Sequence, residues 1–287
     1  MTGNEPEPIT PDTILWHVAG DIRILAALPP TFVLQVAHPA VGAGVDEYSV
    51  FRTDPWGRAD RSLHSLQLWV YGGPEAVREG RRLRRLHKDI KGTDTRGRTY
   101  HSLQPALYGW VHATAFPGFL RAAKYMSTPL GPAEERKLYH ELLQLGRILG
   151  LNDRDMPQSP AEFWEYFDRV VEEELEHTVV VAELLDPEQR LPVPKNMPAV
   201  VRLVWPLVSS SLTRARVFVT VGLMHPAVRA KLGLPWTARD ERRLRLLGNT
   251  IRALVPLLPE RLRYLPVARR ARKATREGAR PSRSLTR

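Results

Sequence analysis

No cysteine occurs in the 287 residues. That excludes disulfides, thiolate zinc sites, iron–sulfur clusters, thiol nucleophiles and CxxCH attachment of a prosthetic group. Any metal must therefore be held by His, Asp, Glu or Tyr. The chain also lacks an alternating strand pattern of useful length and any internal repeat, so a single all-α globular domain is expected. P-loop, GxGxxG, GxSxG and HExxH motifs are missing too, which removes the common nucleotide, hydrolase and zinc-protease signatures. The first residues, MTGNEPEPITPD, have neither a basic n-region nor an apolar h-region, so no signal peptide is expected and a cytoplasmic protein follows. Uncharged residues run from 24 to 45, the length of a membrane span, but Pro29, Pro30, Gln35, His38 and Pro39 interrupt them. A broken, buried helix pair is the better expectation. The later apolar stretch 197–224 carries Arg202, Arg214 and Arg216, which are costly in lipid.

What the chain has in excess is basic charge, +11 in all, and it is unevenly placed. Residues 261–287 hold ten Lys or Arg against one Glu, and the rest has 32 basic and 30 acidic residues. The body is close to neutral, so the basicity belongs to a tail that is either solvated or in contact with anionic lipid or nucleic acid. The expected organisation is a flexible N-terminus over 1–11, a helical domain over 12–258, and a basic, helical to disordered tail over 259–287, with disorder from about Gly278.

Along the chain, Asp12 is placed to cap a helix whose apolar residues recur at helical spacing until Pro29 and Pro30 stop it. The prolines then open a short helix to 37, and His38-Pro39 interrupts before 40–48. Asp54-Pro55-Trp56-Gly57 reads as a turn feeding a helix over 58–71, followed by a second over 75–91 with Gly92 as its terminator. A polar loop is expected over 93–98. Further helices are expected over 103–126, 132–149, 161–185, 199–224 and 240–258, the last capped by Thr237.

Chemistry concentrates between His38 and His87. At 100° per residue, Leu83, Leu86, His87 and Ile90 fall within about a 100° arc, so His87 is expected to face inward. A lone histidine on an apolar face is more often a hydrogen-bonded core residue than a metal ligand, and periodicity leaves both open. Arg58, Arg61, Ser62 and Ser65 stand at i, i+3, i+4 and i+7, a polar stripe that is either a solvated face or the wall of a pocket. Asp46 and Glu47 end a glycine-rich apolar helix and are candidates for a general base, a surface position being the plainer alternative. Glu174 and His177 form one ExxH, but a di-iron bundle needs two such pairs and further glutamates.

Taken together, His38-Pro-Ala-Val-Gly-Ala-Gly-Val-Asp-Glu-Tyr-Ser, Asp54-Pro-Trp-Gly-Arg-x-x-Arg-Ser, Leu86-His87 with Lys91-Gly92, Tyr100 and Trp110-Val-His-Ala-Thr resemble the superfamily of MpaB-type oxygenases and latex-clearing-protein rubber oxygenases. Gly222-Leu-Met-His-Pro and Leu232-Gly-Leu-Pro-Trp are similar to its bacterial members. The resemblance implies a globin-reminiscent helical fold holding non-covalent haem b and using dioxygen. It implies His87 as the proximal iron ligand, and Arg58, Arg61 and Ser62 in place of a distal Arg-x-x-Lys-Thr motif. Lysine is thus arginine here and threonine serine, and a guanidinium cannot act as a neutral base. The glutamate assigned as base in that family corresponds to Glu47. Tyr100, His101 and His112 match positions for which helix packing suffices.

The function this implies is a haem-dependent oxygenase or oxidoreductase acting with dioxygen on an apolar small molecule, an isoprenoid-like one among the candidates, with Glu47 and Arg61 catalytic and a redox partner as an optional addition. The missing export signal argues against an extracellular polymer as substrate. Two alternatives belong to other classes: a non-catalytic haem sensor or carrier, and an anionic-surface binder, membrane or nucleic acid, acting through the basic tail.

Overall fold

The computed structural model describes residues 6–194 and 197–278. It is built almost wholly of helices: α1 (Ile14–Val18), α2 (Ile24–Val36), α3 (Pro39–Tyr48), α4 (Pro55–Tyr71), α5 (Pro74–His87), α6 (Pro105–Ala113), α7 (Ala115–Met126), α8 (Pro132–Ile148), α9 (Pro160–Glu173), α10 (Val179–Leu185), α11 (Ala199–Leu223), α12 (Pro226–Lys231), α13 (Ala238–Leu254), α14 (Glu260–Arg263) and α15 (Pro266–Gly278). Between α5 and α6 a small antiparallel hairpin, β1 (Lys91–Thr93) and β2 (Thr99–His101), pairs Gly92 with Tyr100. The all-α expectation holds. The hairpin falls where a polar loop was expected, because three-residue strands carry too little pattern to register.

Several helix ends follow the local chemistry of the sequence. Asp54 accepts from Gly57 N and Pro55 opens α4, Ser159 accepts from Glu162 N, and Thr237 forms a reciprocal capping box with Asp240. Gly150, at φ +84°, ends α8. Other expectations are overturned. Thr13, not Asp12, caps α1, which is only five residues long because the chain turns at Gly20 and Asp21. Pro29 and Pro30 lie inside α2: the two missing donors are outweighed by burial of Ala27, Pro30, Val33 and Leu34. The helices expected over 103–126 and 161–185 each divide in two, α10 starting afresh at the Thr178 cap. α2 and α3 meet at 106°, and among the described residues no single helix is long and apolar enough to cross a membrane.

The core is an aromatic cluster between α6, α7, α8 and α9. Phe116 stands edge-on to Tyr139 at 4.9 Å and to Phe163 at 5.0 Å, with Trp110, Trp164 and Phe167 completing it. At the other end of the chain, α15 packs on α4. Ala268 is fully buried and its N–H donates to Gln67 Oε1, while Gln67 Nε2 donates to Ala19 O at 2.8 Å. Gly20 must be glycine here, since a Cβ would lie 2.3 Å from that of Ala268. Asp21 accepts from Arg23 and Arg263, tying the turn after α1 to the segment before α15. Burial alone would raise the Asp21 carboxyl, but these hydrogen bonds hold it below its ordinary range. The basic residues up to 278 are thus docked on the body. The disorder expected beyond Gly278 lies outside the described residues, as does part of the expected flexible N-terminus.

Candidate functional site

The site is positioned by the antiparallel pair α4 and α5. Ser65 Oγ donates to Glu79 Oε1 at 2.6 Å, and Arg82 binds both oxygens of the same carboxylate. Ser65 and Glu79 are buried, so this lock fixes the register of the two helices. It also divides the polar stripe on α4: Ser65, its last member, is sealed into the helix seam, Arg58 is half-buried, and Arg61 and Ser62 between them meet solvent. From the lock, Arg58 lies seven residues toward the start of α4 and His87 eight toward the end of α5. At 1.5 Å per residue these are displacements of roughly 10 and 12 Å in the same direction. Both residues consequently sit at one end of the helix pair.

At that end the His87 ring is half-buried, edge-on to Tyr108 with centroids 6.1 Å apart. Its Nδ1 is 2.9 Å from the Leu83 carbonyl oxygen. A carbonyl only accepts, so Nδ1 carries the proton, and in the neutral ring Nε2 keeps its lone pair. Nε2 has no hydrogen-bond partner among the described residues. The backbone of His87 is pinned as well: its carbonyl accepts from Ser102 Oγ at 2.6 Å and Ile90 N at 3.2 Å, which anchors the end of α5 to the hairpin. Leu86, expected inward, is 58 % exposed. α5 crosses the end of α8 at Gly80, where a Cβ would collide with Ile148 O, and Leu86 lies beyond that crossing.

Arg58 is half-buried. Its Nε donates to Ser49 Oγ at 3.0 Å and its guanidinium stacks on the Phe32 ring at 4.0 Å. Among the described residues no carboxylate pairs with it. Burial first, and the neighbouring positive charge of Arg61 second, pull its pKa below the ordinary arginine value. Ser49 caps the end of α3, so the same contact draws Glu47, two residues earlier, to this end of the molecule. Glu47 is exposed. Its neighbour Asp46 is tied to Arg52, which also holds Glu183, so Glu47 is the less encumbered of the two candidate bases. Arg61 is exposed and donates to Asp54 at 3.2 Å, and Ser62 is exposed beside it. Arg58 and the end of α3 are therefore in contact and share one end of the α4–α5 pair with His87, while Arg61 and Ser62 stand on the solvent side of the same α4 turn.

One buried group was not singled out for function from sequence. Tyr100 is buried, its hydroxyl has no partner, and it rests against Gly44 and Gly92, where added Cβ atoms would lie 3.4 and 3.0 Å from the hydroxyl oxygen. Burial, then the charge of Glu47, raises its pKa. The signal was the pair of glycines, but Gly92 was expected to end a helix; it lies in β1 without positive φ and is small because Tyr100 needs the space. The ExxH pair serves structure: Glu174 is bound by Arg96 and Arg98 in a network that includes Asp94 and Glu176. Among the described residues no three His, Asp or Glu side chains converge on a point fit for a bare metal ion. Two clefts, one lined by Thr31, Leu34, Arg121 and His225 and one by Glu7, Asp12, Lys137 and Glu141, do not include His87.

The family model described as ER-bound oxygenase mpaB/B'/rubber oxygenase, catalytic domain, matches residues 16–253. Two uncharacterized mycobacterial proteins, one from Mycobacterium bovis and one from Mycobacterium tuberculosis, are each 24% identical over 234 residues, 80% of this chain and 88% of the relative. No solved structure matches the chain.

Proposed function

The chain belongs to the mpaB/rubber oxygenase catalytic-domain family, and from that premise we propose that it is a haem b-dependent oxygenase acting with dioxygen on an apolar small molecule. The observation that carries this reading is His87, whose Nδ1 is committed to Leu83 O while Nε2 is left without a partner. That is the arrangement an imidazole needs to serve as an iron ligand, with the carbonyl fixing the ring and its tautomer. A prosthetic group that brings its own donors asks only one imidazole of the protein, and His87 with its Nδ1 held by Leu83 O fits that demand. A haem iron bound at this position supplies the activation of dioxygen.

The chain's own residues do the rest. Arg58, a half-buried cation with no carboxylate partner among the described residues, is suited to a propionate carboxylate, which would relieve its desolvation. Arg61 is held by Asp54 on the solvent side and provides donors for negative charge developing at the substrate, with the Ser62 hydroxyl beside it. Glu47, not tied up like Asp46, holds or releases the proton, and Leu86 and Phe32 offer apolar surface to the substrate.

The test is an absorption spectrum of protein supplemented with haem, beside its His87→Ala variant. Stoichiometric haem with a Soret band that shifts or weakens in the variant supports the assignment. If the wild type takes up no haem, the cofactor reading fails. If the variant binds with an unchanged spectrum, another residue is the ligand. Haem uptake without oxygen-dependent turnover of any apolar alkene would reduce the protein to a carrier.

A further inference from the structure

On α13, positions 239, 242 or 243, 246, 250 and 253 or 254 recur at intervals of three or four residues, so they form one stripe along the helix. All seven are exposed: Arg239, Arg242, Arg243, Leu246, Thr250, Ala253 and Leu254. The opposite face, Leu244, Gly248 and Ile251, packs on α7, so closely that a Cβ on Gly248 would lie 2.3 Å from Tyr125 O. The outward stripe is therefore fixed in orientation by the core. It continues past the end of α13 with Leu257, 79 % exposed, and Leu262 on α14, 53 % exposed; Leu246 and Leu254 are 69 % and 56 % exposed.

Charge around this leucine patch is of one sign. Residues 239–276 contain twelve Lys or Arg and three acidic residues. Each acid is already engaged: Asp240 caps α13 and lies 3.8 Å from Arg243, Glu241 accepts from Tyr125, Trp236 and Arg245, and Glu260 pairs with Arg276, which leaves Arg239 and Arg242 with no carboxylate among the described residues. Leucines standing in water beside an excess of guanidinium groups match the two layers of an anionic lipid surface, where apolar side chains enter the acyl boundary and arginines meet phosphate. A nucleic acid would engage the arginines but has no use for four exposed leucines.

We infer that α13 and α14 form a peripheral docking surface for anionic membranes, with Leu246, Leu254, Leu257 and Leu262 entering the lipid and Arg239, Arg242 and Arg243 binding its phosphates. Flotation of the full chain with vesicles tests this. Vesicles of phosphatidylcholine with about three-tenths phosphatidylglycerol should bind at least ~10-fold more tightly than phosphatidylcholine alone. The variant Leu246→Ser/Leu254→Ser/Leu257→Ser should lose at least ~10-fold of that binding with an unchanged melting temperature, since these side chains touch no core. Arg239→Glu/Arg242→Glu should abolish the preference for the anionic vesicles, and it serves as the arbiter if the leucine variant misfolds. Equal or no binding to the two vesicles overturns the inference, as does anionic binding that the leucine changes leave untouched. So does selective capture of a short duplex DNA with no vesicle binding, or a dimer in sedimentation that the leucine changes dissociate.

Discussion

His112 should make the stability of this fold depend steeply on pH in the mildly acidic range. The ring sits on α6 with Nε2 2.7 Å from the Leu142 carbonyl on α8, close against Gly146. Burial drives its pKa down to about 4, although the hydrogen bond to Leu142 works in the opposite direction. The unfolded chain takes up the proton near 6.5, so the contribution of His112 is fully present above about pH 6.5 and is lost as pH falls toward 4. The full span corresponds to about 3 kcal/mol, of which about 2 kcal/mol is gone at pH 5. His38 and His225 are shifted in the same direction by burial, so the wild-type slope contains their contributions too. The difference between wild type and His112→Gln isolates the one residue, because glutamine keeps a donor for Leu142 O but cannot titrate. Urea denaturation at pH 8 and pH 5 should show the variant losing about 2 kcal/mol less than wild type between the two. Identical losses in the two proteins would mean that His112 is charged in the folded state and that its burial is not what the packing indicates. Tyr108, which carries the edge of His87, lies one turn before His112 on α6, so acid loosening of this helix should also weaken haem uptake.

Gln67→Ala leaves both Ala19 O and Ala268 N without their partner at a buried junction, and should destabilise by about 2–4 kcal/mol in denaturant titrations, with early protease cleavage near α15. Arg58→Gln removes a desolvated cation that no carboxylate balances, so folding stability should stay within about 1 kcal/mol of wild type while haem affinity falls at least ~10-fold; a large loss of stability with unchanged affinity would show Arg58 to be structural. Gly92→Ala brings a Cβ to 3.0 Å from the Tyr100 hydroxyl and should cost about 1–3 kcal/mol, part of which Tyr100→Phe in the same chain restores; melting curves of the single and double variants decide it.

The parts of the fold legible in the sequence were those governed by local chemistry. Asp54-Pro55, Ser159-Pro160 and Thr237 announce helix starts because the cap and the missing proline N–H act within four residues. What could not be read depended on distant partners. α1 stops where Asp21 meets Arg263, more than two hundred residues away, and α2 runs through two prolines because its other face is buried. The same division holds in the site. Helical spacing put His87 inward and it is half-buried, but its Leu83 partner follows from where α5 ends, and the contact of Arg58 with Ser49 and Phe32 depends on how α2, α3 and α4 meet. Leu86 shows the limit of periodicity: spacing gives the face of a helix but not how far the neighbouring helix extends along it.

Buried acids in enzymes often mark the chemistry, and in this molecule they do not. Asp21 is clasped by two arginines, Glu79 by Arg82 and Ser65, Asp94 by Arg98 and backbone amides, and Glu141 by the amides that open α1. Each carboxylate is satisfied by groups whose position it fixes, so each is part of the scaffold. Arg58, like Arg216 and Arg229, is a desolvated cation with no carboxylate partner among the described residues, and it stands at the same end of the α4–α5 pair as the unpartnered Nε2 of His87. A desolvated positive charge is a poor arrangement for stability alone, because pairing or exposing the charge would lower its cost. It becomes a favourable one when an anionic group and a Lewis acid are brought in together, and a haem carries both. On the haem proposal, a propionate would supply the balancing charge that Arg58 lacks among the described residues.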